Sequence, residues 1–179
     1  SSGQASKVLT SGARIVICGE PNTGKSTLFN ALIKHERAIV TNIPGTTRDT
    51  IEEGLVLNKN NVVFVDTAGL RTTKNIVEQK GIERTKDEIK NADIVLSLFD
   101  STKKQNKKSQ NKNTIHIINK IDLLDNNSLK KLMKQNHGFV YISAKQKHGI
   151  ENLLSEIETL VSQITAKNNN LFLTSKRQE

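Results

Sequence analysis

Hydrophobic positions along the chain fall into short β-branched runs, separated by polar loops and by three segments of helical period. Arg14–Cys18 (RIVIC), Val62–Asp66 (VVFVD), Asp93–Asp100 (DIVLSLFD), Thr114–Asn119 (TIHIIN) and Phe139–Ser143 (FVYIS) each read as a buried strand. Thr50–Leu57 alternates loosely, and Lys59-Asn60-Asn61 after it predicts a hairpin turn. Apolar spacing predicts a helix over Lys25–Lys34, with Leu28, Phe29, Ala31, Leu32 and Ile33 inward. A second helix is expected over Gly81–Asn91, with Ile82 and Ile89 inward, and a long amphipathic one over Ile150–Ala166. Strands alternating with helices imply an α/β fold: a mostly parallel sheet with one antiparallel edge hairpin and helices on both faces. Residues 1–13 read as a lead-in, 14–166 as the domain and 167–179 as a tail. Ala38–Asp49 and Thr67–Gln79 read as polar loops. Ser101–Asn113 (STKKQNKKSQNKN) cannot bury a helix face and is expected to be a mobile surface loop where such a fold would place a crossover helix.

Composition narrows the class. At 179 residues the chain is long enough to bury a core without disulfides or metal staples. With 35% hydrophobic residues and a mean hydropathy of -0.47, it has no apolar run near the roughly 20 residues of a membrane span. No membrane role is expected, and without a basic-then-apolar leader neither is secretion. The single cysteine, Cys18, excludes an internal disulfide framework and fits a reducing, cytoplasmic setting. The net charge of +9 suits polyanionic partners. Aromatics are only 3%, with no Trp, so a base-stacking platform is not expected and a solvated lysine surface is the simpler reading. His35, His116, His137 and His148 show no metal-ligand spacing.

The chemistry concentrates in four places. Gly19-Glu20-Pro21-Asn22-Thr23-Gly24-Lys25-Ser26-Thr27 fits G-x-x-x-x-G-K-[ST] between a buried strand and a helix. Glycine lets backbone N–H groups converge on phosphate, and the helix N-terminus adds positive potential. Lys25 would reach the β- and γ-phosphates, and the Ser26 hydroxyl would bind Mg²⁺. Asp66-Thr67-Ala68-Gly69 ends a buried strand; Asp66 can hold the Mg²⁺ hydration shell and the Gly69 amide can meet the γ-phosphate. In Asn119-Lys120-Ile121-Asp122, a carboxylate accepting two N–H bonds suits guanine N1 and N2. Ser143-Ala144-Lys145 after the last strand can offer a backbone N–H to guanine O6. This ordered set resembles the GTPases of the P-loop class, whose base-reading motifs are NKxD and SAK, and it implies a Ras-like G domain binding GTP or GDP.

The nucleophilic water needs another partner. Ras-like proteins place Gln directly after DTAG. Here Leu70 stands there and cannot hydrogen-bond through its side chain, so either hydrolysis is crippled or another group acts. Asn22 either helps hold a cation beside the phosphates or only shapes its loop. The loop Thr41-Asn42-Ile43-Pro44-Gly45-Thr46-Thr47-Arg48-Asp49 is long enough to close over the nucleotide, and its hard oxygens suit an alkali cation.

Arg37–Asp49 (RAIVTNIPGTTRD), Asp66–Arg71 (DTAGLR) and Val77–Thr85 (VEQKGIERT) then carry a closer resemblance, to the G domain of the MnmE (TrmE) family of tRNA-modification GTPases. It spans about Ile15 to Ala166. GTTRD is shared with the Der ribosome-assembly GTPases, and the GIERT stretch is the more specific sign. The resemblance implies K⁺ held by Asn22 with Thr41, Ile43 and Thr46, and Thr47 joining Ser26 on Mg²⁺. It implies that Glu78 positions or polarises the water through a further water. It also implies activation by K⁺-dependent dimerisation of G domains, and a complex with the flavin-binding partner MnmG (GidA) that modifies C5 of the wobble uridine in certain tRNAs. Family members add a folate-binding N-terminal domain and a helical domain into which the G domain is inserted. The tail 167–179 is accordingly expected to be the start of the returning helical segment, and the chain to hydrolyse GTP without modifying tRNA by itself. A ribosome-assembly GTPase of the Der or Era type, or a nucleotide-gated binding module with negligible turnover, are the alternatives.

Overall fold

The computed structural model describes residues 12–35, 39–41, 51–57, 60–66, 86–104 and 113–175. Its elements are β1 (Ala13–Gly19), α1 (Lys25–Ile33), β2 (Ile39–Thr41), β3 (Ile51–Leu57), β4 (Asn60–Asp66), α2 (described over 86–91), β5 (Ile94–Asp100), β6 (Thr114–Asn119), α3 (Asn126–Gln135), β7 (Val140–Tyr141) and α4 (Ile150–Ser175). One seven-stranded sheet has the order β2-β3-β4-β1-β5-β6-β7. Parallel pairing joins β4, β1, β5, β6 and β7, while β2-β3-β4 form the antiparallel edge.

The β-branched runs form the central strands because both faces of the sheet are covered. On one face Ile15, Ile17, Phe64, Leu96, Leu98 and Ile117 pack with Leu28 and Leu32 of α1 and with Leu153, Leu154 and Ile157 of α4. On the other, Ile118, Phe99 and Phe139 pack with Leu129 and Leu132 of α3. His116 lies in this second layer, its ring 5.4 Å from that of Phe139 and 6.1 Å from that of Phe99. Arg14 fastens the start of β1: its side chain donates to Glu88 of α2 at 2.6 Å, and its backbone N–H to Asp93 at 2.8 Å.

Four details differ from the sequence pattern. Ile39–Thr41, expected to lie in a loop, pairs with Val56–Gly54 and adds a third strand to the antiparallel edge. The hairpin ladder closes at Leu57–Asn60, so Asn60 and Asn61 belong to β4 rather than to a turn. The sequence pattern does not predict α3. Asp125 caps it, accepting from the backbone N–H of Asn127 and of Ser128 at 2.9 Å each, but only Leu129 and Leu132 give it an inward stripe. α4 does not stop at Ala166 but continues to Ser175, because Asn168-Asn169-Asn170 are weak helix formers rather than breakers. The parts of the expected helix and loop at 81–85 and 105–112, and residues 1–11 and 176–179, lie outside the described residues.

Strand order positions the site. β1 lies between β4 and β5, and the chain crosses from one side of it to the other. In such sheets the crevice at the carboxyl ends of the strands, at this reversal, receives the ligand. The register puts Asp66 beside Ile17 and Leu98 beside Gly19, so the ends of β4 and β5 flank the exit of β1.

Candidate nucleotide site

The loop after β1 is built around close approaches. At Gly24, φ is 95°, and a side chain would run into the Asn119 amide. At Gly19 a Cβ would meet the Leu98 carbonyl oxygen. Both motif glycines are therefore required by neighbouring strands and loops as well as by the turn itself. Asn22 takes the left-handed conformation at φ 64°, which asparagine tolerates better than most residues. Thr23 Oγ1 donates to the Glu20 carbonyl at 2.9 Å and closes the turn.

α1 then starts at Lys25, after Gly24 as N-cap, with no side-chain cap and no acidic residue in its first turn. Its first N–H groups and the positive end of its dipole thus face the loop, the arrangement that binds phosphate. Lys25 is buried, and its ammonium donates to the Gly19 carbonyl at 3.1 Å and the Glu20 carbonyl at 2.8 Å. The Ser26 and Asn22 side chains are exposed beside it.

Asn119, at the end of β6, is 2% exposed and joins two loops. Its Nδ2 donates to the Thr23 carbonyl at 2.9 Å, and its Oδ1 accepts from the Ala144 N–H at 2.9 Å. The phosphate loop and the Ser143-Ala144-Lys145 loop are thereby held on one side chain. That second loop is closed by paired backbone hydrogen bonds between Ser143 and His148, at 3.0 and 3.1 Å. The Ser143 hydroxyl accepts from the Gln146 N–H at 3.1 Å. Asp122 follows in a 3-10 turn over Ile121–Leu123, half-buried on the same edge.

Lys120, in the left-handed conformation at φ 66°, is steered by the end of β5. Its ammonium meets Asp100 Oδ2 at 2.6 Å, and its carbonyl accepts from the Ser101 hydroxyl at 2.8 Å. Asp100 Oδ1 accepts from both the N–H and the hydroxyl of Thr102, at 2.9 and 2.7 Å. Burial works against the Asp100 carboxylate, but hydrogen bonds from Lys120 and Thr102 outweigh it and hold its pKa below the usual carboxylate value. Asp100 and Ser101 went unrecognised in the sequence, where the only signal was an acidic residue ending a buried strand.

A cleft of about 150 Å³ opens beside the phosphate loop, lined by Gly19, Glu20 and Thr23, the end of β5, Lys103 and Lys104. The Cys18 thiol, on the strand leading to the loop, is pushed up by burial, partly offset by Ser97 and Lys25. Among the described residues no group of His, Cys, Asp and Glu could hold a metal, and no helix is long and apolar enough to cross a membrane.

The structure thus brings together Asn22, Thr23, Gly24, Lys25, Ser26, Thr27, Asn119, Lys120, Asp122, Ser143, Ala144 and Lys145 at one end of the sheet. Thr41 ends β2 and Asp66 ends β4. The remaining expected positions, Asn42, Ile43, Pro44, Gly45, Thr46, Thr47, Thr67, Ala68, Gly69, Leu70 and Glu78, lie outside the described residues.

Residues 14–172 match the family described as 50S ribosome-binding GTPase. The tRNA modification GTPase MnmE of Clostridioides difficile is 39% identical over 98% of this chain and 40% of its own length. That of Flavobacterium johnsoniae is 41% identical over 95% and 40%, and that of Petrotoga mobilis 44% over 84% and 36%. The chain therefore spans about 40% of the length of these relatives. Among solved structures, Era of Aquifex aeolicus bound to GDP and AlF4⁻ superposes with a TM-score of 0.60 at 26% identity, covering 82% of this chain and 56% of that one. The G domain of the Thermotoga maritima FeoB iron transporter shares the fold, with a TM-score of 0.54 at 24% identity, covering 83% and 98%. The chain belongs to the 50S ribosome-binding GTPase family of P-loop GTPases, in which it is similar to the G domain of the tRNA modification GTPases MnmE.

Proposed function

We propose that the chain is the K⁺-stimulated, dimerisation-coupled G domain of a GTPase that modifies C5 of the wobble uridine (U34) in tRNA. The observation that carries this is identity of 39–41% to proteins named tRNA modification GTPase MnmE over 95–98% of the chain. In this reading Lys25 and the α1 N–H groups hold the β- and γ-phosphates, while Asp122 and the Ala144 N–H read guanine. The exposed hydroxyl of Ser26 and amide of Asn22 offer hard oxygens at the loop mouth, a donor set that fits Mg²⁺ and K⁺ respectively. Thr47 and, through water, Asp66 would complete the Mg²⁺ site; Thr41, Ile43 and Thr46 would complete that for K⁺. When bound, the cations supply charge neutralisation at the bridging and terminal phosphate oxygens. Glu78 orients the attacking water in place of the glutamine that Leu70 replaces. The partners would be a second copy of the G domain, the flavin-dependent partner MnmG and tRNA, in the cytoplasm. A folate would belong to a domain beyond this segment, and residues 167–179 would begin the return into a helical domain.

GTP hydrolysis by the chain in K⁺ and in Na⁺ at equal ionic strength tests this reading. Stimulation by K⁺ of about tenfold or more is expected, since a cation in the place of an arginine finger contributes to a term worth about 10³–10⁵ in rate. Asn22→Ala should abolish the difference. Equal rates in both salts would remove the K⁺ mechanism and favour a nucleotide-gated module. A ribosome-assembly role is the second reading, favoured by the family's description and the likeness to Era. Recovery of the full-length protein with ribosomal subunits rather than tRNA would support that role instead.

Asp100 gives a second test. Replacing it with Asn removes the anionic partner of Lys120, and hydrogen bonds to charged groups contribute about 1.5–3 kcal/mol. Dissociation of a fluorescent GDP analogue should quicken about tenfold or more. An unchanged rate would show that Lys120 needs no such steering.

A further inference from the structure

Positive charge is distributed very unevenly along this chain. Between Ser101 and His137 there are nine lysines and two acidic residues, so this segment holds seven of the nine net charges. The hundred residues before it carry thirteen Lys and Arg against twelve acids, and those after it five against four. The tertiary structure turns part of this segment into a surface. In α3, Leu129 and Leu132 pack on the sheet, while Lys130, Lys131 and Lys134 are exposed. Spacings of three and four residues put these lysines on one outward face. α3 contains no acidic residue, and among the described residues none of the three lysines forms an ion pair. A helix exposed only for solubility usually intersperses both signs.

We infer that the outward face of α3 is a docking surface for the phosphate backbone of RNA. This rests on the proposed tRNA reading for the choice of RNA as polyanion; the charge placement stands without it. An anionic membrane is the other polyanion, and the helix suits it less. Its two inward leucines are spent on the sheet, which leaves Met133 and the preceding Leu123 as exposed large apolar side chains. A membrane-surface helix needs a continuous apolar face. No stacking aromatic lies on α3, so binding would be sequence-independent and strongly salt-dependent. α3 directly follows the turn that carries Asp122, so RNA held there would lie next to the base-reading end of the nucleotide site.

The test is fluorescence anisotropy of a labelled, unmodified tRNA transcript titrated with the 179-residue chain between 50 and 200 mM KCl. The comparison is with the Lys130→Glu/Lys131→Glu/Lys134→Glu variant, with the corresponding triple Gln variant as a milder form. Expected are at least tenfold weaker binding at 50 mM and a salt slope shallower by about 2, as for roughly three lost phosphate contacts. GDP affinity and melting temperature should hold. A Lys86→Glu/Lys90→Glu control on α2 should bind as the parent does. Equal losses in the control, unchanged binding by the triple variants, or no binding by the parent chain would each overturn the inference. So would preference for vesicles containing phosphatidylserine over the transcript. None of these outcomes touches the wobble-uridine reading, which is judged separately by uridine modification in the full-length complex.

Discussion

Replacing Asn119 with alanine is expected to lower guanine-nucleotide affinity about 100-fold and stability by about 2–5 kcal/mol, the largest effect of any single truncation in the described site. The side chain is buried, and each of its two polar ends serves a different loop. Truncation strands the Thr23 carbonyl and the Ala144 N–H, each a buried group whose missing partner costs about 1–3 kcal/mol. It also opens space against Gly24, which lacks a side chain where the Asn119 amide passes. The phosphate loop and the base loop would then move independently, and nucleotide binding would have to order both. Thermal unfolding and equilibrium titration with a fluorescent GDP analogue check the two parts separately. Asn119→Asp is the sharper variant. It keeps an acceptor for Ala144 but sets a carboxylate against the Thr23 carbonyl, and it should be at least as damaging. A variant that binds GDP normally would mean that the loops hold their places through backbone contacts alone.

Asp122→Asn is expected to change which base is bound. In the proposed reading the Asp122 carboxylate would accept from both N1–H and the N2 amino group of guanine, and two charge-assisted bonds contribute more than two neutral ones. Asparagine keeps one acceptor and offers a donor instead. Xanthine carries a carbonyl where guanine has the amino group, so the asparagine donor finds a partner there. GTP affinity should fall about 100-fold or more while XTP affinity rises. Asp122 lies half-buried in a short exposed-edge turn, not in the core, so the melting temperature should hardly move. Equal loss for both nucleotides would place the base elsewhere. Inversion of the preference would assign Asp122 its role directly.

The elements easiest to read were those whose signal is local. The RIVIC, DIVLSLFD and TIHIIN runs are nearly continuous apolar stretches, the mark of strands covered on both faces, and α1 begins at Lys25 within the G-K-S of the phosphate loop. β2 was hidden because three residues carry no periodicity and become a strand only by pairing with β3. α3 was hidden because its few apolar residues lie in a mostly polar, lysine-rich segment, and its clearest mark, Asp125 as a cap, is shared with any turn. The phosphate loop and the NKID and SAK segments were legible as chemistry, residue type by residue type. Asp100 was not, because its role depends on Lys120, twenty residues away, arriving within 2.6 Å.

The sequence alone determined the class of chemistry: a phosphate-binding turn, a carboxylate suited to guanine, and a basic middle third with little to offset it. These follow from residue type and short spacing, which the covalent chain sets before folding. Tertiary structure decided which of these pieces act together. Asn119 and Thr23 are 96 residues apart, and only the parallel placement of β6 and β1 on either side of β5 brings them into hydrogen-bonding distance. The same packing turns the leucines of α3 toward the sheet and leaves its lysines outward, making a surface from what in the sequence was only a count of charges.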